Sequence, residues 1–213
     1  MAALGQDNYA ALNEKWRKAF LTWEHEKQVA NVGVGTLTDK SIELTYFNQP
    51  YWIDRDTGRI FLKDSPEEAV AFNTQMAIYH LLYYAKEHPV NSGRWVPFRG
   101  VRGAAPFDAA FRKNVLMPFA QAFNGKVPAL EKVGETLGFK PIAHHGDAAF
   151  YVPAFACIPM QFIFWDGDEE LSPEFNILFD YNITDFTHEE TVVMMAEDGV
   201  NLFIHTLEHM EQQ

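Results

Sequence analysis

The sequence predicts an α+β fold: a mainly antiparallel sheet of about six strands, drawn from two sequence blocks and covered by helices. Three observations carry this. Apolar and polar residues alternate through Ser41-Ile-Glu-Leu-Thr-Tyr-Phe47, and aromatic and β-branched residues dominate Ala148–Phe155, Ile158–Trp165 and Phe175–Phe179. Apolar residues at helical spacing fill the stretches before, between and after those blocks. Gly, Pro, Asn and Asp punctuate the joints.

Taken in order, Tyr9–Glu26 sets Ala11, Leu12, Trp16, Phe20 and Trp23 at helical spacing, so residues 1–30 are expected to supply an N-terminal helix that covers a sheet. From Val32 to Leu62 a three-stranded meander is expected, with Asp54-Arg-Asp-Thr-Gly58 turning between Tyr51-Trp-Ile and Arg59-Ile-Phe-Leu. Ser65-Pro66-Glu67-Glu68 offers an N-cap serine, a proline at the first helical position and a glutamate that completes a capping box. A helix is predicted to start there and run to Glu87, apolar nearly all round and therefore central. Phe107–Phe123 and Ala129–Leu137 read as further helices, the second closed by Gly138. The second β block is expected to extend the first. Thr187-His-Glu-Glu190 repeats the capping box and opens a last helix. No repeat, low-complexity tract or long polar linker divides the chain, so residues 1–213 read as one α+β domain.

Composition bounds the function. With 213 residues, 47% hydrophobic and 15% aromatic, the chain can bury a substantial core. A formal net charge of -12 argues against a sequence-blind grip on nucleic acid and against acidic membrane surfaces. The single cysteine, Cys157, excludes an intrachain disulfide and any iron-sulfur cluster held by this chain alone; it fits a reducing cytoplasm and reads as a small buried hydrophobe. The N-terminus Met1–Tyr9 has no signal-peptide pattern. Ala148–Trp165 reaches the length of a minimal membrane span, but Pro153 and Pro159 interrupt it and favour two buried strands.

Four constellations bear chemistry. Arg99 and Arg102 lie between glycines in Trp95-Val-Pro-Phe-Arg99-Gly-Val-Arg102-Gly103, where backbone N–H groups can approach an anion; pairing with the protein's own carboxylates is the favoured alternative. Asp166-Gly-Asp168-Glu169-Glu170 ends an apolar strand and offers carboxylates to a hard cation, although the spacing departs from an EF-hand at Leu171 and Ile177 and a solvated turn is favoured. His144-His145-Gly-Asp147 combines imidazoles with a carboxylate, the residue types of metal ligands or of a general acid and base. His205-Thr-Leu-Glu208-His209 matches an inverted zinc-peptidase pattern. The apolar stripe Ala196, Val200, Phe203, Leu207 and Met210 turns both histidines to solvent, and no third ligand follows.

The order Trp95-Val-Pro-Phe-Arg99, Gly146-Asp147, Phe164-Trp165-Asp-Gly-Asp168-Glu169-Glu170 and Ile177-Leu-Phe-Asp180 resembles a domain family of unknown function from anaerobic bacteria and archaea. The resemblance covers the chain from about Glu68 onward. Its members occur alone or joined to small iron-sulfur modules, which implies a setting in anaerobic redox or one-carbon metabolism and an iron-sulfur or redox partner. It directs attention to Arg99, Asp147, Trp165, Asp168, Glu169 and Asp180, with Arg102 and His145 as neighbours.

The leading expectation is a small-ligand-binding or accessory domain with Arg99, Arg102, Asp147, Trp165, Asp168, Glu169 and Asp180 around its ligand. The first alternative is a metal-assisted hydrolase that uses His144, His145, Asp147 and the acidic turn, with His144, His145 and Asp166 as candidate metal ligands. The second is a protein-interaction module, a homo-oligomer among its forms, that uses surplus aromatics.

Overall fold

The computed structural model describes residues 6–212. Residues 1–5, on which the absence of an export signal partly rests, lie outside the described residues. Mixed α/β architecture is what forms: two antiparallel sheets with helices packed between and over them.

The N-terminal covering helix is two helices, α1 (Gln6–Phe20) and α2 (His25–Val32). The break is built at Phe20. Its carbonyl accepts from the Trp23 amide at 3.1 Å and lies 2.9 Å from His25 Nε2, while Arg55 Nε donates to His25 Nδ1 at 3.2 Å. With Nδ1 accepting, Nε2 carries the proton and donates to Phe20. The Phe20 and His25 rings stack at 4.2 Å.

The first sheet runs β1 (Thr36–Leu37), β2 (Ser41–Tyr46), β3 (Gln49–Asp54), β4 (Ile60–Leu62) in sequence order. Asp54 closes its second hairpin as expected, Oδ1 accepting from the Asp56 and Thr57 amides at 3.1 and 2.7 Å, with Gly58 at φ +71°. The β2–β3 turn places Phe47 and Asn48 at φ +46° and +62°, a left-handed pair that asparagine tolerates and phenylalanine does not.

The capping box at Ser65 does not start a helix. Glu68 N donates back to Ser65 O at 3.0 Å in a turn, and α3 runs Phe72–Tyr84 from an extended Ala71 with no capping side chain. Tertiary contacts override the local signal: Gln75 Nε2 donates to the Val70 carbonyl at 2.8 Å, and Asn13 of α1 donates to Gln75 Oε1 at 2.8 Å. These bonds hold the approach to α3 extended. The helix is central, as its composition predicts; Met76 through Leu82 are all buried.

The second sheet has the order β5 (Trp95–Pro97), β9 (Glu174–Asp180), β8 (Ile158–Trp165), β7 (Ala148–Phe155), β6 (Lys140–Pro141). It does not extend the first sheet, contrary to the sequence expectation. The sheets meet where the Phe47 amide donates to the Ala154 carbonyl at 2.9 Å. Strands beyond the expected six are short edges, β1, β5 and β6, with too few residues to print an alternation.

Phe107–Phe123 is helical but irregular: α4 (Asp108–Phe111), a π-helical turn over Arg112–Leu116, and α5 (Met117–Phe123). Pro118 has no N–H for the carbonyl one turn back, and the wider π turn directly before it accommodates the proline without breaking the rod. After α6 (Val127–Thr136), α7 (Glu189–Glu211) ends the fold. His188, not Thr187, caps α7, its Nδ1 accepting from Glu190 N at 3.3 Å. Ala196, Val200, Phe203 and Leu207 of α7 are buried as their spacing predicts, and His205 and His209 are exposed. Among the described residues no helix is long and apolar enough to cross a membrane.

Candidate functional site

The ladder of β8 and β9 positions one end of the site. Trp165 pairs with Glu174 at the last rung, and residues 166–173 form the loop between the strands. Within that loop the carboxylates serve the backbone. Asp147 Oδ2 accepts from Asp166 N at 2.7 Å; Asp166 Oδ1 accepts from Gly125 N at 2.7 Å and Gly167 N at 2.9 Å. Asp168 Oδ1 accepts from Glu170 N at 2.8 Å and Leu171 N at 2.7 Å, and these bonds hold its carboxyl below the usual range. Glu169 is exposed. Gly167 is needed for the loop's tight packing, since a Cβ there would stand 2.7 Å from Asn124 Oδ1.

His144 and His145 are exposed, their rings 5.9 Å apart, with His144 5.8 Å edge-on from Trp165. Among the described residues no three His, Cys, Asp or Glu side chains are placed to share a metal ion.

Asp180 stands elsewhere. It ends β9, six strand positions from Glu174 and so about 20 Å from the acidic loop. The residue is 2% exposed. Its Oδ1 accepts from Ser92 N, Ser92 Oγ and Asn182 N at 2.9, 3.0 and 2.8 Å, and its Oδ2 from Gly93 N at 2.8 Å. With four donors on its carboxylate, Asp180 fastens the 91–93 loop to the sheet. Arg102 Nη1 lies 3.6 Å from Asp185 Oδ1 near the start of α7, while Arg99 is exposed and makes no ion pair among the described residues.

Trp165 and Asp166, in contrast, line a groove of about 690 Å³ whose other wall is the irregular helix. Arg112, Leu116, Met117 and Ala120 face it from the π turn and α5; Phe175 and Asn176 face it from β9; Leu171 and Pro173 close one end. Met117 and Leu171 are 51% and 69% exposed. The helix is held along β9 by stacked rings, Phe119 on Phe175 at 3.7 Å, and by Phe111, whose centroid is 6.3 Å from that of Phe179. π turns within α-helices frequently mark functional sites, and this one supplies Arg112 and Leu116 to the groove.

Of the basic residues between Arg94 and Lys113, Arg112 is the one that lines the groove. From Arg94 to Lys113 stand five of the chain's 17 basic residues and one acidic residue, Asp108, a formal charge of +4 in a chain of -12. Arg99, Arg112 and Lys113 are exposed without an ion pair among the described residues.

A second polar cluster lies inside the fold, at residues that no sequence motif singles out. Tyr46 Oη donates to Asp198 Oδ2 at 2.9 Å and Thr74 Oγ1 donates to the same oxygen at 3.3 Å. Burial pushes the Asp198 carboxyl up to about 6. On the other side of α3, buried His80 pairs Nδ1 with Thr191 Oγ1 at 2.7 Å, and burial pushes its imidazole down to about 4. Cys157 sits at the β7–β8 turn, its thiol pushed up to about 12 by burial.

Two antiparallel sheets with an open groove between a π-bulged helix and a sheet edge define a mixed α/β domain without an assembled metal centre among the described residues. The chain belongs to the family described as Domain of unknown function (DUF3786), whose model matches residues 24–201. That span begins well before Glu68, takes in the whole groove, and leaves out α1 and the His205–His209 segment. No curated protein and no solved structure matches the chain.

Proposed function

We propose that the domain is a binding module rather than an enzyme, and that the groove between the π-bulged helix and β9 holds an amphipathic, negatively charged molecule. One observation carries this reading: Trp165, Met117 and Leu116 line a single cleft with Arg112, an arginine with no carboxylate partner among the described residues. An indole and a thioether offer an apolar, polarisable surface, and a guanidinium offers a planar fork that matches carboxylate or phosphate. The chain's overall negative charge repels anions at range, but salt screens that field beyond about 8 Å, so Arg112 in the groove wall decides at contact.

A metal-assisted hydrolase has less support. The carboxylates it would need, Asp147, Asp166 and Asp168, accept backbone N–H groups that hold their own loop. The redox or one-carbon setting implied by the family resemblance orders the screen: anionic cofactor fragments come first, neutral ones second.

A screen of aromatic carboxylates and phosphates by protein NMR tests the proposal. Binders should shift the Trp165 indole N–H signal, and Arg112→Ala should weaken them about tenfold, the equivalent of about 1.4 kcal/mol. Neutral isosteres that bind equally well, or perturbations gathered at the separate groove along Lys132, Lys140 and Phe150, would remove it.

A further inference from the structure

We infer that the occupant of this groove is polypeptide: an extended, acidic segment of a partner protein that adds as a strand to the open edge of β9. The inference rests on the binding reading above and names its ligand class.

β9 is paired along its length by β8, from Glu174 opposite Trp165 to Phe179 opposite Met160. On its other side β5 covers only Leu178, Phe179 and Asp180. Among the described residues Glu174–Ile177 therefore has a strand neighbour on one side alone. In an antiparallel ladder alternate residues turn N–H and C=O outward, so half of this stretch presents backbone donors and acceptors along a free edge. β5 stops for a local reason. Pro97 has no N–H to continue the ladder, and Phe98–Gly100 curls into a 3₁₀ turn closed by Val101 N to Phe98 O at 3.0 Å.

The groove follows that edge. Phe111 lies by Phe179 and Phe119 on Phe175, so the helix runs antiparallel to β9 and walls the space beside it. A free strand edge flanked by a helix is the arrangement in which strand addition recognises peptides: backbone bonds supply affinity and alternate side chains supply specificity. Four edge residues span about 13 Å, room for a strand of similar length. Charge sets the partner's chemistry. Arg112 lines the helical wall, exposed Lys113 follows it in the same π turn and Arg99 follows the end of β5, while Glu174 stands at the far end, so acidic side chains belong towards Arg99 and an apolar one against Trp165 and Leu171.

Three synthetic peptides test this on the full chain: a capped heptapeptide of alternating glutamate and valine, its lysine counterpart, and the glutamate peptide methylated on alternate backbone nitrogens. The glutamate peptide should slow amide exchange at the outward-facing residues of Glu174–Ile177 at least tenfold at saturation. Backbone methylation should weaken it at least tenfold, and the double variant Arg112→Glu, Lys113→Glu should prefer the lysine peptide while melting as the unaltered chain does. A glutamate peptide that shifts Trp165 yet leaves those amides unprotected and tolerates methylation overturns strand addition and leaves the groove reading intact. No response to any peptide while anionic aromatic fragments still bind overturns the polypeptide ligand; silence towards both removes the groove reading too.

Discussion

Phe119 stacks face to face on Phe175, ring centroids 3.7 Å apart and planes 15° from parallel. The pair joins α5 to β9, and both rings also meet Phe162 of β8, at 6.0 and 5.2 Å. Both walls of the groove are thus fixed by one contact in the core.

Phe119→Ala should therefore cost about 3–5 kcal/mol of stability, the usual range for a buried ring lost to a cavity. Phe119 is 1% exposed, so the cavity would be closed to water. Urea denaturation followed by circular dichroism measures the loss. A change below 1 kcal/mol would mean that α5 collapses onto β9 without the ring.

Gly199 on α7 is held to glycine by its neighbours. A Cβ there would stand 2.9 Å from Phe162 Cζ and 3.1 Å from Phe47 Cε1 and Cζ. Phe47 has little room to retreat, because its left-handed turn and its bond to Ala154 O fix its backbone. Gly199→Ala should destabilise by about 1–3 kcal/mol, as overpacking does. Combining it with Phe47→Gly, which removes the ring and relieves the positive φ, should cost less than the sum of the single changes. Strict additivity in the denaturation midpoints would refute the contact.

These two sites mark what sequence makes legible. The stripe through Ala196, Val200, Phe203 and Leu207 declares the buried face of α7, because helical spacing and burial are the same fact. Asp54 likewise declares its hairpin, since the chemistry is local. Alternation in β2 and the aromatic, β-branched run of β8 say that each is a strand but not which sheet it joins, so the separation of the sheets is a property of long-range packing. Ser65 fails for a related reason: Asn13, remote in sequence, holds Gln75, whose amide in turn holds the Val70 carbonyl. At the site, Trp165 and Asp166 are legible as an indole beside carboxylates at a strand end. Arg112 is not, because one arginine in an amphipathic helix looks like any other until the π turn aims it at the groove.

Asp180 separates a structural carboxylate from a ligand group. Asp180→Ala would remove four hydrogen bonds that tie the exposed Ser92–Gly93 loop and Asn182 to the sheet, each worth about 0.5–1.5 kcal/mol net, for a loss of about 2–3 kcal/mol once water reaches the freed amides. Because Asp180 sits about 20 Å along β9 from Trp165, affinity in the groove should stay within twofold. Thermal melts and the Trp165 NMR signal measure the two effects separately. Lost binding with stability retained would reverse the assignment.

Asp198 and His80 give the protein two opposing pH dependences. Asp198 binds its proton more tightly in the folded chain, with the carboxyl near 6 against about 3.9 when unfolded. Its contribution to stability is most favourable below pH 4 and is lost as pH rises towards 6. His80 binds its proton less tightly when folded, near 4 against about 6.5. Its contribution is full above pH 6.5 and is lost as pH falls towards 4. Each shift corresponds to roughly 3 kcal/mol across the same interval, with opposite sign, so these two groups nearly cancel in the unaltered chain. Asp198→Asn should leave the His80 slope exposed: the variant gains on the parent steadily from pH 4 to pH 6.5, by up to about 3 kcal/mol. His80→Gln should do the converse and lose ground to the parent over that interval, whatever its constant packing penalty. Urea midpoints at pH 4, 5, 6 and 7 give both curves, and a variant that runs parallel to the parent would show that the residue it replaces titrates alike in the folded and unfolded chain.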